Sequence, residues 1–264
     1  MTGPTKMPRP ASYSPHFLNN LLNETRCLNM EQKKLGVIGG MGPKATSVFF
    51  DKIVNQTEAH KDQDHLNMII LNHATLPDRT NAILTNTGET FLDAVKDDFK
   101  LLEAAGVANI AIPCNTSHYF YDELQKLTNI PIINMVEETI KEIHHRHGEG
   151  TKVGILATNG TIRSGIYADV CKKYNLELLA PNDSLQEKVM DIIYNNVKSD
   201  LDVDSSELEQ LIRHLVEKEH CKIVILACTE LSCIKLSDEA VKSSIDAMNV
   251  LVERSILRSG KRLK

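Results

Sequence analysis

One pattern constrains this chain more than any other: short, continuously apolar runs alternate with longer stretches of helical periodicity. The apolar runs are residues 35–40, 67–72, 109–113 and 131–134, then 152–157, 176–180, 222–227 and a weaker 244–247. Helical stretches separate them at 44–60, 89–105, 136–147, 163–174, 184–197 and 206–219. Strands that carry apolar residues at every position are buried on both faces. Such strands, alternating with helices, predict an α/β fold built on parallel sheets covered by helices.

The pattern occurs twice. "LGVIGGMGP" opens the first series and "VGILATNGT" the second, while "IAIPCNTS" and "VILACTEL" close them. Cys228 lies 114 positions after Cys114, and Gly154 lies 118 after Gly36. Any α/β chain looks self-similar by strand pattern, but two cysteines in equivalent places favour two similar α/β lobes from an internal duplication. Ligands of parallel sheets bind at the carboxyl ends of the strands. Facing lobes would bring two such ends to one cleft. Residues 1–32, with Pro4, Pro8, Pro10 and Pro15 among scattered polar residues, read as a disordered arm.

Composition narrows the function classes. Thirty basic against 35 acidic residues give a net charge of -5, and no long basic block is present, which argues against a nucleic-acid surface. No apolar run approaches the roughly 18 residues of a membrane span. Six cysteines without a Cys-x-x-Cys pair, in a chain with ample apolar content, read as reduced thiols in the cytoplasm.

Three places carry chemistry. In "GGMGPKAT", residues 39–46, Gly40, Gly42 and Ala45 fit a permissive dinucleotide fingerprint. The acidic residue that should end the second strand is missing, since that strand ends in Leu71, Asn72 and His73. The loop then either brings backbone close to a small anion at a helix start or is a tight turn. Cys114 and Cys228 each end a strand before a helix start, where a thiol can ionise more readily and backbone N–H groups can meet a carboxylate. Either cysteine alone could be a small buried hydrophobe. Together they match racemisation at a carbon acid, in which one thiolate removes a proton and an opposing thiol returns it to the other face. Asn115, Thr116 and Thr229 are placed to stabilise the charge that spreads onto the carboxylate. Arg79 could clamp a carboxylate or serve in a surface ion pair. His118 could touch Cys114 from one turn on, or be an ordinary helix residue. "HHRH" at 144–147 reads as a solvated helix end rather than a metal site. Cys27, Cys171, Cys221 and Cys233 have no such context.

"GVIGGMGPKAT", "PDRT", "PCNTSH", "LATNGTIRSGIY" and "ACTELS", in that order, resemble the cofactor-independent aspartate/glutamate racemase family. The resemblance runs from about Lys33 to the carboxyl end. It implies two pseudo-symmetric α/β lobes with the site between them, the last helix returning to the first lobe: residues 33–130 with 242–264, and residues 131–241. It implies that Cys114 and Cys228 are the catalytic acid/bases. Asp78, Arg79 and Thr80 would line the substrate site, Asn115 and Thr116 would bind substrate, and Lys198 would take a second carboxylate. Met41 and the turn from Thr158 to Thr161 would lie near the ligand. Homodimers are usual for such proteins.

The expectation is racemisation of aspartate, with glutamate as a second candidate, using neither cofactor nor metal. The alternatives are cis-trans isomerisation of a diacid such as maleate, or non-catalytic binding of an acidic amino acid. An NAD enzyme is disfavoured by the missing acidic residue.

Overall fold

The computed structural model describes residues 33–197 and 204–264. The amino-terminal arm, with Cys27, and Lys198 lie outside the described residues.

The first half begins with β1 (Leu35–Gly39) and α1 (Pro43–Gln56), followed by β2 (Met68–Asn72), α2 (Arg79–Leu84), α3 (Gly88–Ala104) and β3 (Asn109–Ala111). Then come α4 (Tyr121–Lys126) and α5 (Met135–His147). The second half runs β4 (Lys152–Leu156), α6 (Asn159–Ser164), α7 (Ile166–Lys173), β5 (Glu177–Leu179) and α8 (Asp183–Asp191). It continues with α9 (Ser205–Glu217), β6 (Ile223–Leu226), α10 (Asp238–Lys242), β7 (Ser244–Asp246) and α11 (Ala247–Arg258).

All strands pair in parallel. The first sheet has the order β2-β1-β3, extended past β3 by a parallel bridge from Ile110 to Ile132. The second has the order β5-β4-β6-β7. Each sheet therefore adds its second strand on one side of the first, then its third and fourth on the other. The strand order reverses between β1 and β3, and again between β4 and β6. A crevice opens at such a reversal, outside the carboxyl ends of the strands.

The α/β class and the two parallel sheets agree with the sequence reading, and three elements differ in detail. The strand expected at 131–134 is reduced to one bridge. Pro131 has no N–H to donate, and the side chain of Asn134 already caps α5 by accepting from Glu137 N–H at 3.0 Å. The helix expected at 163–174 is two helices, broken at Gly165, whose φ of 72° is left-handed. The helix expected at 184–197 ends its regular course at Asp191 and widens into a π-helical turn, Ile192–Val197.

Packing follows from the buried strands. Every residue of β1 is buried, as is every residue of β6. One core unites Leu35, Val37 and Ala111 with Val153, Ile155, Ile223 and Ile225, so both sheets share apolar cover. Burying one such aliphatic side chain is worth about 1.5–3 kcal/mol. Gly36 and Gly154 occupy matching places in β1 and β4. A Cβ on Gly36 would come within 3.0 Å of Leu102 in α3, and one on Gly154 within 3.1 Å of Leu215 in α9. In each sheet the helix that precedes the third strand thus packs directly onto the backbone of the first. The last helix, α11, lies against α1 and α5. Arg254 and Arg258 on it bind Glu138 and Glu142 of α5 at 2.7–2.9 Å.

Candidate active site

Five strand ends converge on one small cavity. The end of β1 supplies Met41, and the segment after β2 supplies Asp78, Arg79 and Thr80. Past β3 come Cys114, Asn115 and Thr116, past β4 comes Thr158, and past β6 come Cys228, Thr229 and Glu230. Tyr194, on the π-helical turn after α8, completes the lining. The structure therefore brings together all the predicted site residues but two. Thr161 is buried behind Thr158 rather than on the cavity wall, and Lys198 lies outside the described residues.

A knot of hydroxyls ties the two halves together at the floor. Thr116 Oγ1 lies 3.0 Å from Thr158 Oγ1 and 2.9 Å from Thr161 Oγ1, and Thr80 Oγ1 donates to Thr158 Oγ1 at 3.3 Å. Thr158 also caps α6, accepting from Thr161 N–H at 3.2 Å. Beside the knot, α2 and α6 approach closely. A Cβ on Gly160 would come within 2.8 Å of the Thr80 Cα.

Arg79 is buried to 8% exposure at the first position of α2. Asp78 caps that helix, accepting from Asn81 N–H at 2.8 Å. The Arg79 Nη1 donates to the Pro77 carbonyl at 2.9 Å and weakly to that of Leu76 at 3.4 Å, while its Nε has no partner among the described residues. None of its described bonds goes to a carboxylate. A buried guanidinium with a spare donor is costly to leave unpaired and can complete itself with an anionic group.

The two thiols sit in unlike surroundings. The Cys114 carbonyl accepts from Ser117 Oγ at 2.7 Å and from the His118 ring at 2.9 Å. His118 Nε2 accepts from Met135 N–H at 3.2 Å, so the proton sits on Nδ1 and is donated to that carbonyl. Full burial holds the His118 imidazole below its ordinary pKa, in keeping with a neutral ring. His118 therefore braces the backbone of Cys114 against the start of α5 and makes no bond to the thiol. Cys228 Sγ, by contrast, donates to Glu230 Oε2 at 2.9 Å. Glu230 is 4% exposed, takes a weaker bond from Thr229 Oγ1 at 3.4 Å, and has no described partner for Oε1.

The expected helix starts after the cysteines are single 3₁₀ turns, Thr116–Phe120 and Leu231–Cys233. The turn after Cys114 runs directly into α4, while the turn after Cys228 ends in extended backbone at Ile234, before α10. The three residues of the isolated turn after Cys228 carry little of the macrodipole that a full α-helix provides. Cys228 Sγ is hydrogen-bonded to Glu230, whereas the bonds at Cys114 go to its backbone carbonyl. In the glycine loop, Gly40 N–H donates to Thr46 Oγ1 at 2.8 Å, and that hydroxyl donates to the Gly42 carbonyl at 3.0 Å. Glu230 Oε1 lies against Gly42, about 3.3 Å from where a Cβ would stand. The start of α1 thus faces a carboxyl group of the protein itself.

Elsewhere the cysteines are packing groups. Burial pushes the Cys171 thiol up to about 12 and the Cys233 thiol up to about 11, and raises Cys221 as well. His144 to His147 form the last turn of α5, and no cluster of three potential metal ligands occurs among the described residues. Sequence reasoning missed Glu230 and Tyr194. Glu230 lay inside the quoted "ACTELS", and an acid two residues from a strand-end cysteine was the available signal. Tyr194 carried none, since its position depends on the π-helical widening.

Residues 38–254 match the family of Asp/Glu/hydantoin racemases. The chain belongs to that family. Racemases are isomerases, so this is an enzyme of that class. It is similar to the broad-specificity amino-acid racemase RacX of Bacillus subtilis, with 33% identity over 204 residues that cover 76% of this chain and 86% of the relative. Among solved structures it is similar to an aspartate racemase of Picrophilus torridus, with 31% identity, a TM-score of 0.75, and coverage of 88% of this chain and 96% of that one. An aspartate racemase homologue from Pyrococcus horikoshii follows at 25% identity and a TM-score of 0.70, covering 86% and 99%. A glutamate racemase of Francisella tularensis shares the fold at 20% identity and a TM-score of 0.56, covering 85% and 80%.

Proposed function

We propose that this racemase interconverts the enantiomers of an acidic amino acid, aspartate first and glutamate second, by a two-base mechanism. The observation that carries the reading is that Cys114 and Cys228, at the ends of equivalent strands in the two sheets, line one cavity. One cysteine, as thiolate, takes the α-proton. The electron pair left on the α-carbon delocalises into the carboxylate. The other cysteine, as thiol, delivers its proton to the opposite face, and the two sulfurs end with exchanged protonation states. Arg79 and the Asn115 amide hold the α-carboxylate, in the ground state as in the transition state. Lys198 takes the side-chain carboxylate. The similarity to an aspartate racemase supports the first substrate.

A second reading is favoured by Glu230. A buried carboxylate in the same cavity as Arg79 matches the ammonium and carboxylate of any amino-acid zwitterion, and it disfavours a second carboxylate nearby. The similarity to a broad-specificity racemase points the same way. Incubation of each enantiomer of a panel of amino acids, analysed by chiral chromatography, separates the readings. Turnover confined to aspartate and glutamate supports the first, turnover of neutral or basic residues supports the second, and no turnover by the folded protein would sink both. We further propose a cytoplasmic homodimer. Light scattering on the purified protein tests the assembly, and a monomer would refute it.

A further inference from the structure

The amide of Asn115 is held from behind. Tyr167, on α7 and 1% exposed, donates its hydroxyl to Asn115 Oδ1 at 2.5 Å. Thr139 next to the phenol directs its own hydroxyl to the Met135 carbonyl at 2.6 Å. Asn115 Nδ2 is buried and has no partner among the described residues, although Asn115 lines the cavity. An amide has two distinguishable ends, and the bond on one end fixes which way the other points. A phenol donating to Oδ1 turns the NH₂ toward the cavity. The opposite flip would aim the carbonyl oxygen at a bound carboxylate and repel it.

We propose that Tyr167 is a positioning residue that locks the Asn115 side chain with its NH₂ donors facing the substrate carboxylate. The lock costs nothing at binding, because the amide is oriented before the ligand arrives. Tyr167 comes from the second half of the chain and Asn115 from the first, so the same bond aligns the two sides of the site. The inference rests on the racemase reading for its kinetic consequence, but the orientation itself is independent of it.

Two measurements test it. In the ligand-free protein, the Asn115 side-chain ¹⁵N–¹H₂ signals, identified by their loss in Asn115→Ala, should be sharp, and they should broaden and move in Tyr167→Phe. Signals unchanged by Tyr167→Phe would overturn the inference whatever the activity proves to be. In kinetics, Tyr167→Phe should raise KM roughly tenfold with kcat within about twofold, and it should change KM less than about twofold when added to Asn115→Ala. Equal effects in both backgrounds would mean that Tyr167 acts through packing and would also overturn it. Should Tyr167→Phe fail to fold, Asn115→Asp replaces it. That variant keeps the acceptor for Tyr167 but turns an acceptor instead of a donor to the cavity, and a KM within twofold of the parent would refute the proposed orientation. Absence of racemisation in the parent protein with moving Asn115 signals would instead count against the racemase reading alone.

Discussion

Cys228 donates its thiol proton to Glu230 Oε2 at 2.9 Å, whereas no carboxylate is bonded to Cys114 in the described structure. The two halves thus differ at the position two residues after each cysteine, Thr116 in one and Glu230 in the other. A carboxylate that accepts from a thiol can share its proton and help return it to carbon. Glu230→Gln keeps the shape and removes that capacity. The expected outcome is a kcat lower by about tenfold or more, within the usual range for acid-base groups. Thermal stability should be unchanged or higher, since a buried carboxylate is costly to desolvate. Steady-state kinetics and calorimetry on the same variant check both.

Arg79 should bind rather than react. Arg79→Ala removes a charge-assisted clamp whose hydrogen bonds are worth about 1.5–3 kcal/mol, so KM should rise by roughly ten- to a hundredfold. Arg79→Lys should recover little, because a point charge cannot reproduce two parallel bonds. Saturation curves for both variants test this, and an unchanged KM in Arg79→Ala would show that the guanidinium does not hold the substrate.

Stability should fall at alkaline pH for a stated reason. Burial raises the Cys171 thiol to about 12 and Cys233 to about 11, above the unfolded value near 9. Between the unfolded and folded values the unfolded chain loses these protons and the native protein keeps them. Unfolding is thereby favoured, at up to about 1.4 kcal/mol per pH unit for each thiol. The contribution is complete below about pH 9 and is lost as pH rises toward 11–12. Cys171→Ala should lower the baseline through a small cavity but flatten the decline of melting temperature above pH 9. An unchanged slope would contradict the assignment.

Much of this was legible in the sequence. Continuous apolar runs such as residues 223–226 read as buried parallel strands, and the matching of Gly36 with Gly154 and Cys114 with Cys228 pointed to two similar sheets. What escaped depends on distances between elements far apart in the chain. The partnership of Tyr167 with Asn115 spans 52 residues, and Glu230 meets Gly42 across the whole fold. Periodicity carries no record of such pairs. The π-helical turn that presents Tyr194 was equally hidden, because its apolar spacing differs little from that of an α-helix. After Cys114 the helical segment opens as a 3₁₀ turn before α4, and after Cys228 it stops at three residues, a difference set by the short distance to α10 rather than by the residues that open each turn.

The central claim is that two thiols serve opposite faces of one carbon, and α-proton exchange in heavy water tests it most directly. Proton NMR should show L- and D-aspartate each losing the α-proton signal with the parent protein, with both enantiomers appearing from either. Cys114→Ser and Cys228→Ser should each abolish interconversion, with exchange surviving for at most one enantiomer in each. Full racemisation by either folded variant, or no exchange of either enantiomer by the parent protein, would contradict the account.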